Sequence, residues 1–279
     1  MRSDAPCTLH EMLAAALARA LRDEEVGFTG LVTGGAAAVF GTAIPLAAME
    51  LARLSHAPGL TILLAGWSHN PDLFGLPELP DSEFDAKLRD LAADAQMMDY
   101  PGPWSIRRGD IDFGFSSAVQ VDRSGNINSV CVGDYRRPRV RLVGPILQPE
   151  HMALFGREYV MMPHHERRNF VERVDYVSGV GYPGGRAGRR RLGLERGGPA
   201  WVITPRCIFD FDEDDGRMRV RSMHPGQTPA VLQAATGFDL GDLAGVPTTE
   251  SPTPEELELL RRQVDPHGIL LRSADRSTR

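Results

Sequence analysis

The chain has 279 residues, with 31 basic against 37 acidic side chains and a net charge of −6, so bulk electrostatics point away from nucleic acid. Hydrophobic residues make up 42% and charged residues 24%, the composition of a globular protein long enough to bury a full core, expected as one domain over 1–279. Cys7, Cys131 and Cys207 are far apart and form no CxxC pair, which argues against a disulfide framework or a zinc site and fits a reducing cytoplasm. The first twelve residues carry acidic groups and no apolar run, so they do not read as a secretory signal.

Thr8 to Glu24 reads as the first helix, with Thr8 as cap, Glu11 three residues on, and an apolar stripe from Leu9 to Leu21. A strand is expected near Val26–Val32, then a Gly/Ala loop at Thr33–Ala38 that has neither the dinucleotide nor the P-loop pattern. Val26 to Met49 is uncharged and long enough to span a bilayer, but its Gly, Ala and Thr content, Gly34-Gly35 and Pro45 favour a strand, loop and helix instead. Pro45–Ser55 is the expected second helix. Leu60–Ala65 is a short, wholly apolar run, as expected of a parallel strand buried on both faces. It ends in Gly66-Trp67-Ser68-His69, and ligands of open α/β sheets bind beyond such carboxyl ends.

Asn70–Asp81 reads as irregular, Glu83–Met98 as a helix, Asp99–Arg108 as a loop with Trp104, and Asp110–Phe115 as a strand. Val119–Val121 and Ser129–Gly133 then read as two strands joined by a polar-tipped turn, Asp122 to Asn126, where Gly125 supplies a positive φ. Strands are expected at Tyr159–Met162 and Val174–Val177. His164-His165 between them has no third ligand in spacing, so hydrogen-bonded histidines are favoured over a metal. Pro183–Gly198 is rich in Gly and Arg and reads as a flexible loop. Trp201–Phe211 and Met218–Val220 flank an acidic turn, Thr228–Gly237 and Pro254–Gln263 are helical, and the tail after Leu271 reads as frayed. The alternation of strands and helices predicts an α/β fold, an open and mostly parallel sheet flanked by helices.

Several segments together resemble the β subunits of family I coenzyme A transferases, that of glutaconate CoA-transferase among them. They are Gly41–Pro58, Gln120–Leu142 (QVD, GN, GDY and RL in family order), Met161–Val177, Arg190–Leu194, Phe209–Met218, Thr236–Leu240 and Val264–Pro266. The resemblance implies a partner α subunit of similar fold, an active site at the interface of the two subunits, an acyl-CoA substrate and no permanently bound cofactor. It implies neither a metal nor a membrane. A β-subunit glutamate in such enzymes attacks the thioester, and CoA then passes to a second carboxylate.

The residues that depart from the pattern bear on the chemistry. The resemblance places the family glutamate at Ala65, which cannot form an anhydride. The family Gly-Gly-Ala turn reads Ser117-Ala118-Val119, and its glycine loop reads Gly144 to Pro149. Glu50, Glu78 and Glu83 lack the rigid placement of a nucleophile, with Glu50 expected to face solvent. The expected chemistry is therefore hydrolysis, decarboxylation or C–C cleavage of an acyl-CoA. True transfer with a partner-subunit nucleophile and a non-catalytic subunit are the alternatives. His69 is the candidate acid or base, and Ala65, Gly66, Trp67, Ser116, Ser117, Gln120 and Gly144 are the expected substrate-binding positions. Arg186–Arg191 is a further candidate for the phosphates of CoA.

Overall fold

The computed structural model describes residues 6–31, 34–76, 78–80, 82–83, 85–97 and 109–271. The expected loop around Trp104 and the frayed tail fall outside the described residues. The chain groups into two compact units, one of Met1–Ser105, Ile111–Phe115 and Glu250–Arg279, the other of Ile106–Asp110 and Ser116–Thr249.

In the first unit, strands β1 (Val26–Thr29), β2 (Thr61–Leu64), β3 (Ser68–Pro71), β4 (Ala93–Gln96) and β5 (Phe113–Ser116) lie in the order β5-β1-β2-β3-β4. β1 runs parallel to β2 and β5, whereas β3 and β4 are antiparallel additions. Gly27, opposite Phe113 in the β1–β5 register, is glycine for a steric reason. A Cβ there would stand 2.2 Å from the Phe113 ring and 2.8 Å from the Met49 sulfur.

The first helix, Leu9–Ala18, opens with the expected capping box: Thr8 Oγ1 accepts from Glu11 N, and Glu11 Oε2 accepts from Thr8 N. It stops short of Glu24 because polar side chains take over the backbone beyond it. Glu25 accepts from Arg22 N, and Asp23 from Gly59 N at 2.6 Å. Glu11 also pairs with Arg261, Oε1 to Nε at 2.7 Å, with both side chains nearly buried. Burial raises the Glu11 carboxyl pKa, but the hydrogen bonds from Arg261 and Thr8 outweigh it and hold the group below its ordinary range.

The Gly/Ala segment is not a loop. Helix begins at Gly35, widens through a π-turn at Val39–Ala43 and continues as Ile44–Ser55. The π-turn has an identifiable cause in Pro45, which has no N–H for the Gly41 carbonyl four residues back. Ile44 N reaches Val39 O instead, and Thr29 Oγ1 stands 3.4 Å from Gly41 O. Gly35–Ser55 is apolar and long enough to cross a membrane by composition, yet 72% of its apolar window is buried within the protein.

Glu83–Met98 is not one helix either. Asp85 caps a single turn, Ala86–Arg89, and Ala93–Gln96 forms β4 against β3. The Gln96 side chain turns back to Leu91 O at 3.0 Å, closing the helix end. Pairing with β3 supplies a full ladder to a segment whose helix propensity alone is a weak constraint.

The second unit contains β6 (Gln120–Asp122), β7 (Ile127–Asn128), β8 (Cys131–Val132), β9 (Val140–Arg141), β10 (Arg157–Met161), β11 (Phe170–Val171), β12 (Pro199–Ile203), β13 (Cys207–Phe211) and β14 (Met218–Met223). β10 and β12 are parallel, and β13 and β14 extend them antiparallel. β14 pairs with β13 along its length and with Thr248 only through a single bridge at Met223, and its Arg219 and Arg221 reach Asp210 at 2.6 and 3.4 Å.

The expected hairpin forms between β6 and β7, but its return strand is Ile127–Asn128. Ser129–Gly133 divides, and Cys131–Val132 pairs with β9 as a separate ribbon. The turn is not a solvated tip, because Gly125 lies under the Phe211 ring and Gly181 under the Ser124 carbonyl. Val174–Val177 forms no strand. Its backbone bonds to side chains instead, Val174 N to Asp122 Oδ2 and Asp175 N to Gln120 Oε1. The strand of this region is β11, parallel to β6.

Pro183–Gly198 is an ordered turn rather than a flexible loop. Gly185–Arg191 is helical, and the buried Arg189 guanidinium donates to the carbonyls of Val180, Gly181, Met152 and Arg196.

Gly125 combines a φ of +75° with a prospective Cβ 2.6 Å from Phe211. Gly125→Ala should therefore cost about 3 kcal/mol, the sum of left-handed strain and overpacking. A denaturation midpoint within error of wild type would contradict this account of the turn.

Candidate functional site

The first cluster lies at the carboxyl end of β2. Ala65 is fully buried and has φ +52°, and Gly66 follows with φ +77°. Ala65 N donates to Thr29 O, the Trp67 indole donates to Glu83 O at 3.2 Å, and Met97 N donates to Trp67 O. An alanine held left-handed stores about 1–2 kcal/mol, and residues of this kind concentrate where function constrains the backbone. The chain reverses through this turn, so His69 lies opposite Leu63 and Ala95, one pair back from the strand end. His69 is partly buried and its side chain makes no hydrogen bond among the described residues. Ser68 Oγ beside it is buried without a partner.

Two of the carboxylates weighed against Ala65, Glu50 and Glu78, are engaged elsewhere. Glu50 does not face solvent freely, since it is partly buried and paired with Arg53 at 3.1 Å, with burial raising its pKa. Glu78 pairs with Lys87 at 2.8 Å.

The second cluster holds Ser116, Ser117, Gln120 and Gly144. Ser116 donates its proton to Glu158 Oε1, and His151 Nδ1 lies 3.4 Å from the same oxygen. Glu158 is 0% exposed and its Oε2 has no partner. A serine whose proton is committed in this way presents lone pairs, not a donor, to anything else it meets. Glu158 and His151 are the residues that sequence reasoning missed, and a charged side chain beside the apolar run Tyr159–Met162 was their only signal. The Ser117 carbonyl accepts from Gln148 Nε2 at 2.5 Å and from Ser129 Oγ at 3.3 Å. Gln120 is buried, its Oε1 taken by Asn128 Nδ2 and Asp175 N and its Nε2 by Asp175 Oδ2, so its amide serves the scaffold. Gly144 has φ +97° and open space where a Cβ would stand.

Asp122 anchors the hairpin below these residues. Its Oδ1 accepts from Ser124 N and Asn126 N, and Asn126 Nδ2 reaches both oxygens. Burial raises its carboxyl pKa against these lowering bonds.

The histidine pair resolves into an exposed His164 and a buried His165. His165 Nδ1 is 2.9 Å from Thr204 Oγ1, Nε2 is 3.0 Å from Thr236 Oγ1, and the ring stacks on Phe170. Thr236 Oγ1 donates its proton to the Leu232 carbonyl, so towards the ring it accepts from Nε2–H, while the Thr204 hydroxyl lies within reach of both Nδ1 and the Cys207 carbonyl. That assigns the neutral Nε2–H tautomer. Burial, with Arg206 and His224 adding repulsion, lowers the His165 pKa to about 3, and burial lowers His224 as well. Among the described residues no group of three or more His, Cys, Asp or Glu side chains is placed to hold a metal ion.

The first unit thus carries a strained turn at a strand end, and the second a buried hairpin turned at glycine. The chain matches no protein-family model. It is 32% identical to the B subunit of 3-oxoadipate CoA-transferase of Pseudomonas knackmussii over 90% of this chain and 91% of that protein. It superposes on glutaconate CoA-transferase of Acidaminococcus fermentans with a TM-score of 0.76 and 27% identity, covering 95% of this chain and 98% of that one. It also superposes on Rhodococcus jostii IpdAB with a TM-score of 0.73 and 26% identity, over 95% and 97% of the two chains. The IpdB subunit of that organism, a cholesterol ring-cleaving hydrolase subunit, is 31% identical over 54% of this chain and 59% of its own length. The chain belongs to the family of CoA-transferase B subunits.

Because the unfolded chain protonates His165 near pH 6.5 and the folded one only near 3, the folded state binds fewer protons in between. Stability should be full above pH 6.5 and fall as pH drops toward 3, by up to about 1.4 kcal/mol per pH unit from this group, with His224 acting in the same direction. His165→Gln should flatten the profile between pH 6.5 and 4, measured by denaturation at fixed pH. An unchanged slope would remove His165 from the account.

Proposed function

We propose that this chain is the β subunit of a heteromeric cytoplasmic enzyme that acts on an acyl-CoA thioester by hydrolysis, decarboxylation or C–C cleavage, without a glutamyl anhydride of its own. The observation that carries this is Ala65. It is a buried, left-handed residue at the carboxyl end of β2, where the family resemblance puts a nucleophilic glutamate, and its side chain cannot attack a carbonyl. The ring-cleaving hydrolase IpdB supports chemistry other than transfer within this architecture.

In this reading an α subunit of similar fold completes the site. His69 supplies an acid or base, being the histidine next to the turn with no committed hydrogen bond. Ala65, Gly66, Trp67, Ser116, Ser117 and Gly144 contact the acyl-CoA, while Gln120 acts through the scaffold. Glu158 fixes the Ser116 hydroxyl so that Ser116 accepts a hydrogen bond from the ligand. No resident cofactor or metal is required, and CoA enters only as part of the substrate.

The name of the 3-oxoadipate relative favours a second reading, CoA transfer with the nucleophile on the partner. Co-expression with an α-type subunit from the same source separates the two. Release of free CoA without an acceptor acid supports the first reading, whereas strict dependence on an acceptor, with an enzyme–CoA adduct in the mass spectrum, supports the second. Under the first reading His69→Gln should lower kcat at least tenfold, the usual scale of general acid–base catalysis being about 10²–10⁴. Glu158→Leu should lower kcat/KM about tenfold through loss of a buried hydrogen bond to Ser116. Ser116→Thr should retain more activity than Ser116→Ala. Full activity in both His69→Gln and Ser116→Ala would displace these residues from the site.

A further inference from the structure

The β8–β9 ribbon carries a surface that none of the foregoing uses. In a chain of net charge −6, the eight residues from Asp134 to Arg141 hold four arginines and a single acid. All four arginines are exposed. Arg136, Arg137 and Arg139 enter no side-chain hydrogen bond or ion pair among the described residues. The one acid of the segment is occupied, since Asp134 Oδ1 accepts from Arg136 N and Arg137 N and shapes the turn. Asp175, an acid of the adjoining segment, accepts from Gly133 N and Gln120 Nε2.

Beside these cations stand two aromatic rings that the core does not absorb. Tyr135 and Tyr176 are 53% and 36% exposed and stack on each other with centroids 5.2 Å apart, and Arg141 lies 5.0 Å from the Tyr135 centroid. The support is rigid: Arg139 N bonds to Val132 O, Cys131 pairs with Arg141, and the Gly133 bond to Asp175 ties the ribbon to the segment bearing Tyr176. Unpaired guanidinia beside exposed ring faces are the complement of a phosphorylated nucleotide, whose phosphates take forked donors and whose base takes an aromatic or cationic face.

We propose that this ribbon binds a phosphorylated nucleotide, with Arg136, Arg137 and Arg139 on the phosphates and the Tyr135–Tyr176 stack against the base. Resting on the acyl-CoA reading, the nucleotide is the adenosine 3′,5′-bisphosphate end of coenzyme A. The other arginine-rich segment, Gly185–Arg191, is less suited, because Arg189 is buried on carbonyls and Arg186 lies over Tyr182 at 4.9 Å.

The test is calorimetric titration of the full chain at low salt with adenosine 3′,5′-bisphosphate, ADP and inorganic phosphate. The bisphosphate should bind more tightly than ADP and at least about tenfold more tightly than inorganic phosphate. Arg137→Ala/Arg139→Ala should weaken it about tenfold or more, and Tyr176→Ala should weaken the bisphosphate but not inorganic phosphate. Arg262→Ala, whose guanidinium pairs with Glu258 in the other unit, should bind as wild type. No bisphosphate binding, equal binding of all three probes, or undiminished binding by the double variant overturns the site. A double variant that binds the bisphosphate normally but fails to co-purify with its partner also overturns it and makes the ribbon a protein interface. If the double variant loses the bisphosphate while the wild-type complex turns over no acyl-CoA, the site stands and the catalytic reading fails. If the double variant turns over acyl-CoA at an unchanged KM, the catalytic reading stands and the site fails.

Discussion

The second unit depends on a connected set of buried polar side chains between β6 and the segment after β11. Asp122 and Gln120 alternate with Val121 along β6, so both face away from the apolar cluster that Val121 joins. Each then collects backbone donors that no strand ladder serves: Asp122 those of Ser124, Asn126 and Val174, Gln120 that of Asp175. Asn126 passes the connection to Gly181 N, and Asn128 to the backbone of Val130 and Cys131. Buried amides and carboxylates are tolerated only when nearly every donor and acceptor is used, and a network satisfied to this extent specifies one arrangement. Disturbing it would move the hairpin, the ribbon with its arginines and the turn over Gly181 together.

The first unit is held in a contrasting way. Its strands and helices are packed by shape, Gly27 against Phe113 being the clearest instance, and its polar contacts join segments far apart in the chain, as Arg19 does with Glu256. The Glu11–Arg261 pair fastens the first helix to the π-turn at Leu260–Val264. Removing either partner would strand a charge in a nearly closed space, where the loss exceeds what the pair contributes when intact. Thr29 has a similar local task, because its hydroxyl lies against the carbonyl that Pro45 leaves open. A proline inside a long helix is thus accommodated by a π-turn and one threonine rather than by a break.

Much of the architecture was legible in the residues because local chemistry and tertiary outcome agree there. Thr8 with Glu11, the apolar run of β2, Gly125 in its turn and Thr228 ahead of Pro229 each behave as their side chains dictate. The failures occur where a side chain overrides its own neighbourhood. Gln96 turns back on a helix end and leaves its segment to β3, while Asp122 and Gln120 withdraw the backbone of Val174 and Asp175 from strand pairing. Arg189 converts a glycine-rich stretch into an anchored turn. The partners of Asp122 and Gln120 in the segment of Val174 and Asp175, and the Met152 carbonyl that Arg189 reaches, are far off in sequence, so no local pattern could reveal them. The candidate site divides likewise: the strand-end turn follows from apolar periodicity, while Glu158 and His151 become visible only beside Ser116.

β14 bears on how the subunit behaves before it meets a partner. A terminal strand with free N–H and C=O groups is a template for any other extended chain, and a partly assembled subunit is the species most at risk of self-association. Arg219 and Arg221 alternate along β14 toward Asp210, and Arg221 also lies over the Trp201 ring at 4.9 Å. Bulky hydrated cations along that edge oppose a second copy docking strand to strand. The same two arginines therefore put charge along the outermost strand, a device by which sheet edges resist pairing with a second copy.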